Sequence, residues 1–299
     1  MTERLAKRLR EGIPGLNVLE DEPLSRHTSF RIGGAAKTLI QPASRAELTE
    51  LCVLLRRLGE KPLVLGNGSN VLAPDEGIER PVILTTQITG FRIEDTVLYA
   101  DCGAAVTRLA AICAAEGLDG MNFAYGIPGS LGGALIMNAG AYGGEIKDVA
   151  EESWFLDEDL HERCLCGEAQ GFGYRKSGFG AAAVILGAKL RLRRGNAAEL
   201  REQQEKILQK RRASQPLELP SAGSAFKRPP NAYAAALIDG AGLKGLRIGG
   251  AEVSTKHAGF IVNRGGATAA DVLRLIEEIQ KRVFGVSGIM LEPEIRVIS

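Results

Sequence analysis

Apolar residues recur at helical spacing along several stretches of the chain. Between Ser44 and Gly59 they fall at Leu48, Leu51, Cys52, Leu55 and Leu58, one face of a helix. Ser44-Arg45-Ala46-Glu47 supplies a capping box at its start, and Gly59 a stop at its end. Residues 106–115 read as a second helix, stopped by Gly117. The segment Thr268 to Asp271 opens another, with an apolar stripe at Val272, Leu275, Ile276, Ile279 and Val283. Short apolar runs predict strands at 62–65, 82–86, 97–102, 248–253 and 259–263. Residues 184–194 set Leu190 and Leu192 against Lys189, Arg191 and Arg193, the pattern of a half-exposed strand. Residues 197–213 are densely charged with few apolar positions, which predicts a solvated helix and a domain boundary. No internal repeat is present. Three α+β units fit this order better than one repeating βαβ sheet.

Composition narrows the function. With 299 residues, 45% of them apolar, the chain is long enough for two or three domains with a real core. A net charge of +1 and only 5% aromatic residues argue against a nucleic-acid partner, which would need a basic footprint or stacking platforms. No apolar run is long enough to cross a bilayer. Residues 1–10 are charged and weakly amphipathic through Leu5 and Leu9, without the apolar core of a signal peptide. A cytoplasmic protein without a membrane partner is expected. The five cysteines (Cys52, Cys102, Cys113, Cys164, Cys166) are odd in number and read as reduced thiols. Cys164 and Cys166 lack further ligands, and His27, His161 and His257 are scattered, so no metal site is expected.

The 37 glycines exceed the average usage of roughly 7% and occur in clusters. Gly66-Asn67-Gly68-Ser69-Asn70 follows a predicted strand. It suits a nest of backbone N–H groups for a phosphate or pyrophosphate, and equally an ordinary tight turn. A Rossmann site is disfavoured, because the third glycine is missing and Pro74 stands where a long helix should run. Gly126-Ile127-Pro128-Gly129-Ser130-Leu131-Gly132-Gly133-Ala134 continues to Asn138 and Gly143. Close packing of a helix on a sheet would explain some of these small residues. The repeated turns and the polar Ser130 and Asn138 favour backbone lying along a large cofactor.

Three further segments carry chemistry. In Tyr174-Arg175-Lys176-Ser177, Arg175 offers a planar fork for a carboxylate, or a surface ion pair. The stretch Ser221 to Lys227 surrounds Ser224 with small residues that would expose its hydroxyl on a tight turn. No GxSxG elbow and no His–Asp relay accompany it, so a hydrolytic nucleophile is disfavoured. Leu291-Glu292-Pro293-Glu294 places two carboxylates around a proline, which on its own terms is an exposed acidic turn.

Taken in order, these segments resemble the UDP-N-acetylenolpyruvoylglucosamine reductase family. The resemblance begins at His27-Thr28-Ser29-Phe30-Arg31-Ile32-Gly33-Gly34, runs through the segments above, and takes in Gly242 to Gly245 and His257. It covers nearly the whole chain. It implies an α+β fold: a two-part FAD-binding region of the vanillyl-alcohol-oxidase/PCMH type (1–81 and 82–198) and a C-terminal α+β substrate-binding domain (199–299). It implies non-covalent FAD held by Gly66, Asn67, Gly68, Ser69, Asn70, Gly126, Ile127, Pro128, Gly129, Ser130, Gly132, Gly133 and Ala134. Arg175, Ser224 and Glu294 would be catalytic, with Tyr174, Lys227 and Arg228 against the substrate. NADPH would be the hydride donor and UDP-N-acetylenolpyruvoylglucosamine the acceptor, on a monomer.

On that likeness, hydride adds to the terminal enolpyruvyl carbon. Arg175 and Glu294 stabilise the resulting charge, and Ser224 protonates the neighbouring carbon. Arg228 stands where the family usually has Asn, and Gly259 replaces the commoner Asn. The short span from Arg175 to Ser224 resembles the subtype without an extra substrate loop. His257 is expected to serve as a structural hydrogen-bonding group. Two rivals are weighed. An FAD oxidase with covalent flavin is disfavoured by the absence of His and Cys from the two glycine loops. A non-catalytic sensor would have no need of Ser224, Glu294 and Arg175.

Overall fold

A computed structural model describes residues 2–180 and 182–299. The chain forms two compact units, each assembled from separated stretches. One holds the residues up to Glu20, Thr38–Asn67 and Arg80–Gln209; the other holds Asp21–Lys37, Gly68–Glu79 and Lys210–Ser299.

The first unit contains a five-stranded antiparallel sheet, in the order Glu162–Cys166, Ala150–Leu156, Val184–Arg191, Val97–Asp101, Phe91–Glu94. The strand Val184–Arg191 is central. Its residues Val184 to Ala188 are all buried, and alternation appears only from Lys189 onward. The predicted half-exposed strand therefore describes its second half alone: a strand flanked on both edges and covered on both faces reads as a continuous apolar run. Parallel pairing joins Leu39 and Ile40 to Val82 and Ile83, and Leu63–Leu65 to Val82–Leu84.

The helix Arg45–Arg57 buries Leu48, Leu51, Cys52 and Leu55, as its spacing predicts. Ser44 Oγ accepts the N–H of Glu47 at 3.1 Å. The reciprocal half of the capping box is displaced by one residue, because the Glu47 carboxylate accepts from Ala43 N–H and not from Ser44. The amphipathic N-terminal stretch, whose Met1 lies outside the described residues, is the helix Thr2–Gly12. Its Ala6 and Leu9 join the same core as Leu51 and Leu55. The helix Val106–Ala115 has the predicted bounds. The glycine tract beyond it is ordered as short pieces: the helix Leu131–Ile136 and a hairpin of Gly140–Ala141 with Gly144–Glu145.

The helix Ala197–Ser214 is less solvated than its charge suggests. Leu200, Gln204 and Arg211 are buried, and Gln204 Nε2 donates to the Ala110 carbonyl at 2.8 Å. The chain leaves the first unit within this helix, after Gln209.

The second unit holds a four-stranded antiparallel sheet, in the order Ser221–Ser224, Phe260–Asn263, Ala251–Val253, Arg247–Ile248. The single strand predicted at 248–253 is a hairpin, folded at Gly249 (φ +54°) and Gly250. The helix Ala269–Ser287 lies on this sheet and buries Val272, Leu275, Ile276, Ile279 and Val283. Each such side chain contributes about 1.5–3 kcal/mol. Thr268 and Asp271 form the complete capping box. Asp75, far away in sequence, adds a second cap by accepting the N–H groups of Ala269 (2.7 Å) and Ala270 (3.0 Å). Strand Arg296–Val297 pairs in parallel with Val71–Leu72. Among the described residues no helix is long and apolar enough to cross a membrane, and no group of three or more His, Cys, Asp or Glu side chains could hold a metal ion.

Candidate active site

In the first unit the two glycine motifs lie against each other. A Cβ on Gly66 would sit 1.9 Å from Ser130 Oγ, and Ser130 is buried, so only glycine fits at residue 66. Asn67 Nδ2 donates to the Pro128 carbonyl at 3.3 Å. The tract from Gly126 is pinned to the helix Val106–Ala115 and to the residues just before it. Val106 N–H donates to the Gly129 carbonyl at 3.0 Å, Leu131 N–H to Ala104 at 2.8 Å and Gly132 N–H to Cys102 at 2.8 Å. Gly126 N–H is taken by Thr107 Oγ1. Close packing thus accounts for Gly132, where a Cβ would lie 3.2 Å from Cys102 Cβ, and a left-handed φ of +85° for Gly126.

It does not account for the rest. Among the described residues, the N–H groups of Asn67, Gly129 and Ser130 in this unit donate to no protein acceptor. Those of Gly68, Ser69 and Asn70 in the other unit also donate to none. Gly68 is itself buried, and buried N–H groups are rarely left without an acceptor. Within the first unit, the unclaimed N–H donors of Asn67, Gly129 and Ser130 are groups of the kind a phosphate accepts from.

Arg175 occupies the tip of a two-residue turn. Gly173 and Lys176 exchange backbone hydrogen bonds of 3.0 and 3.2 Å around it. Its φ of +55° is left-handed, at a turn position that ordinarily selects Gly or Asn. Its guanidinium lies 5.1 Å from the ring centroid of the exposed Tyr174. Arg175 borders a cleft of about 420 Å³ that Tyr142, Lys147 and Asp148 also line.

In the second unit the structure unites two segments that are remote in sequence. Ser224 is exposed at the end of its strand, and the chain continues through the buried Ala225 and Phe226. Phe226 forms an antiparallel bridge with Pro293. Glu294 N–H donates to the Ala225 carbonyl, and Lys227 N–H to the Glu292 carbonyl, each at 2.8 Å. The Lys227 ammonium also pairs with the Glu292 carboxylate. The segment 291–294 is therefore no free acidic turn but a strand partner of the Ser224 segment, with Glu294 half-buried.

The turn 68–70 braces both halves of this pairing. Asn70 Nδ2 donates to the Glu294 carbonyl at 3.2 Å. Ser29 Oγ donates to the Ser221 carbonyl at 2.7 Å, while Ser29 N–H donates to the Gly68 carbonyl at 3.1 Å. Gly68 (φ +58°) has no room for a side chain, since a Cβ would lie 2.2 Å from the His27 carbonyl oxygen. Arg228 lies 4.0 Å from the ring centroid of Tyr233. His257 Nδ1 accepts the N–H of Gly259 at 3.2 Å, and burial lowers the imidazole pKa. A Cβ on Gly259 would press within 3.0 Å of His257 Cε1, which gives the glycine there a reason.

Sequence reasoning missed Ser29 and Asp75 as braces. Only the motif His27–Gly34 hinted at the first, and nothing local marks the second.

Comparison with known proteins makes the chain an FAD-dependent oxidoreductase. A model of the FAD binding domain matches residues 36–159. On fold alone the chain is similar to an alkyldihydroxyacetonephosphate synthase structure, at 16% identity and a TM-score of 0.50, covering 64% of this chain and 40% of that one. A second family model, UDP-N-acetylenolpyruvoylglucosamine reductase, C-terminal domain, matches residues 215–298. The reductase of Caldanaerobacter subterraneus is 45% identical over 100% of this chain and 99% of that protein. The crystal structure of the Thermus caldophilus reductase superposes with a TM-score of 0.80 at 34% identity, covering 95% of this chain and 99% of that one. The chain belongs to the UDP-N-acetylenolpyruvoylglucosamine reductase family.

Proposed function

We propose that this chain reduces UDP-N-acetylenolpyruvoylglucosamine to UDP-N-acetylmuramate with NADPH, in peptidoglycan precursor synthesis, as a cytoplasmic monomer. The observation that carries the reading is the pairing of the Ser224 segment with the Glu294 segment through the Phe226–Pro293 bridge. It supports a proton donor and a carboxylate held on neighbouring backbones.

Gly66, Asn67, Gly68, Ser69 and Asn70, with residues 126–134, hold FAD without a covalent bond. When bound, FAD supplies the two-electron relay that carries hydride from NADPH to the terminal carbon of the enolpyruvyl group. The chain's own residues do the rest. Arg175 sets a permanent positive charge against the substrate carboxylate, where negative charge develops. Ser224 Oγ–H gives a proton to the carbon next to that carboxylate, completing the lactyl ether. Glu294 polarises that transfer. Tyr174, Lys227 and Arg228 bind the nucleotide sugar, with Lys227 tethered by Glu292 and Arg228 resting on Tyr233.

In domain terms, residues 1–81 and 82–198 form the two flavin-binding parts and 199–299 the substrate part. The five-stranded sheet falls wholly within 82–198, and the four-stranded sheet with its long helix wholly within 199–299.

The test is an anaerobic absorbance spectrum, followed by NADPH and then the enolpyruvyl sugar. The flavin band should bleach with NADPH and return with the sugar. Return with oxygen alone would favour an oxidase, and failure to take up FAD would reject the reading of the glycine loops. Ser224→Ala should slow sugar-dependent reoxidation by about 10²–10⁴-fold. Glu294→Gln should slow the same half-reaction while leaving reduction by NADPH near normal.

A further inference from the structure

Asn138 stands two residues beyond the helix Leu131–Ile136 and is completely enclosed, at 0% exposure. Its φ is +40°, a left-handed conformation that asparagine tolerates better than other residues with a side chain. In the sequence it looks like a polar group offered to a cofactor. In the structure its amide is committed to the protein. Oδ1 accepts the Lys147 N–H at 2.9 Å, and Nδ2 donates to Glu145 Oε2 at 2.8 Å and to the Gly173 carbonyl at 3.1 Å. An amide has two N–H donors, and both are in use. The carboxylate of Glu145 also fixes which way the amide faces, because a flipped amide would set its oxygen against that of Glu145.

Gly173 opens the turn that carries Arg175. The far side of the same turn is tied down by Ser177 Oγ, which donates to the Ile136 carbonyl at 2.9 Å. Both anchors are thus set on one short segment, Ile136 to Asn138. Between them Arg175 is held in a left-handed conformation, which persists only where surrounding contacts over-determine it.

We propose that Asn138 is the positioning residue for Arg175: by gripping the Gly173 carbonyl it fixes the turn that aims the guanidinium. The inference rests on the reading of Arg175 as the group that meets the substrate carboxylate. Asn138 itself touches no reacting atom in this scheme. It acts by keeping a charged group within the narrow range of positions where stabilisation is effective, and a displacement of about 1 Å can cost roughly 10²-fold in rate.

The test compares flavin-loaded wild type, Asn138→Gly, Arg175→Ala and the double variant. Glycine keeps the left-handed backbone and removes only the amide. Asn138→Asp, isosteric but without N–H donors when ionised, is a second variant with the same expected pattern should the first fold poorly. Hydrogen exchange at the amides of residues 173–176 should quicken at least about tenfold in Asn138→Gly. Reoxidation by UDP-N-acetylenolpyruvoylglucosamine should slow by about 10–100-fold, with reduction by NADPH within about twofold of wild type. In the Arg175→Ala background, Asn138→Gly should add no further loss, because a residue acting through Arg175 has nothing left to position. Losses that multiply would overturn the proposal, and so would equal slowing of both half-reactions. Unchanged exchange beside a slow Arg175→Ala would sink the anchoring and leave the catalytic reading of Arg175 standing. Quickened exchange beside a normal Arg175→Ala rate would sink the catalytic reading, and positioning for catalysis with it.

Discussion

Asn70 donates from its amide nitrogen to the backbone carbonyl of Glu294, 3.2 Å away, and its own carbonyl accepts the N–H of Arg296 at 3.0 Å. One residue of the glycine loop therefore holds the backbone that presents Glu294. Asn70→Ala should lose roughly 1 kcal/mol of stability with the hydrogen bond. Sugar-dependent reoxidation should slow by about tenfold as Glu294 loosens. Thermal melts and stopped-flow half-reactions measure the two effects. Wild-type reoxidation in a destabilised Asn70→Ala would mean that this brace does not matter to Glu294.

Gly66 and Ser130 make the second prediction. Gly66→Ala would drive a Cβ to 1.9 Å from Ser130 Oγ, so the buried Ser130 side chain or the backbone beside it must shift. Overpacking of this kind costs about 1–3 kcal/mol. The dissociation constant for FAD should rise roughly tenfold, in proportion to that cost. Adding Ser130→Ala should recover most of the loss, because the next atom a Cβ at residue 66 would meet is Ser130 Cβ at 3.1 Å. Equilibrium titration of the apoprotein with FAD provides the comparison, and no recovery in the double variant would reject the steric account.

His257 sets a pH dependence. Burial lowers the pKa of its imidazole, and Nδ1 accepts the Gly259 N–H, so the folded form is the neutral one. The unfolded imidazole takes up its proton near pH ~6.5, the folded one only at lower pH. Its stabilisation is complete above that unfolded value and is lost as pH falls through the folded pKa. Between about pH 7.5 and 5.5 the melting temperature should fall further for wild type than for His257→Gln. Parallel curves would remove His257 as a contributor.

The thiols divide by burial. Cys52, Cys102 and Cys113 are enclosed, and burial pushes each up to about 12. Cys164 and Cys166 are exposed, with sulfurs 3.7 Å apart; burial, then the neighbouring Cys166, pushes Cys164 up to about 11. An aromatic disulfide reagent should titrate the two exposed thiols in the native protein and all five after denaturation. Cys164→Ser should leave one reactive native thiol. Rapid native titration of more than two would contradict the packing around the helices Arg45–Arg57 and Val106–Ala115.

Much of this architecture is legible locally. The helices Arg45–Arg57, Val106–Ala115 and Ala269–Ser287 carry their own apolar stripes and stops, the first and last also their own caps, and none depends on a distant partner to be recognised. What fails is what distant neighbours decide. The strand Val184–Arg191 looks half-exposed because its alternating end is conspicuous, whereas its burial comes from strands at 97–101 and 150–156. The hairpin at 247–253 was hidden because its turn is two glycines inside an apolar run. At the candidate site, the residue types of Arg175, Ser224 and Glu294 are legible as motifs in order. The bridge between Phe226 and Pro293 is not, and neither is the reach of Asn138 to Gly173. Neither contact leaves a trace in local spacing.

The parallel pairing of Val71–Leu72 with Arg296–Val297 bears on how the chain must be made. Phe30, Ile32 and Leu72 belong to the same core as Val272, Leu275 and Ile279. During synthesis these early apolar side chains leave the ribosome two hundred residues or more before Val272, Leu275 and Ile279. The second unit cannot close until its late segments are available, so its early strands wait with apolar surface uncovered. A fragment starting at the family-model boundary near residue 215 would carry both Ser224 and Glu294 and still lack part of its own interior.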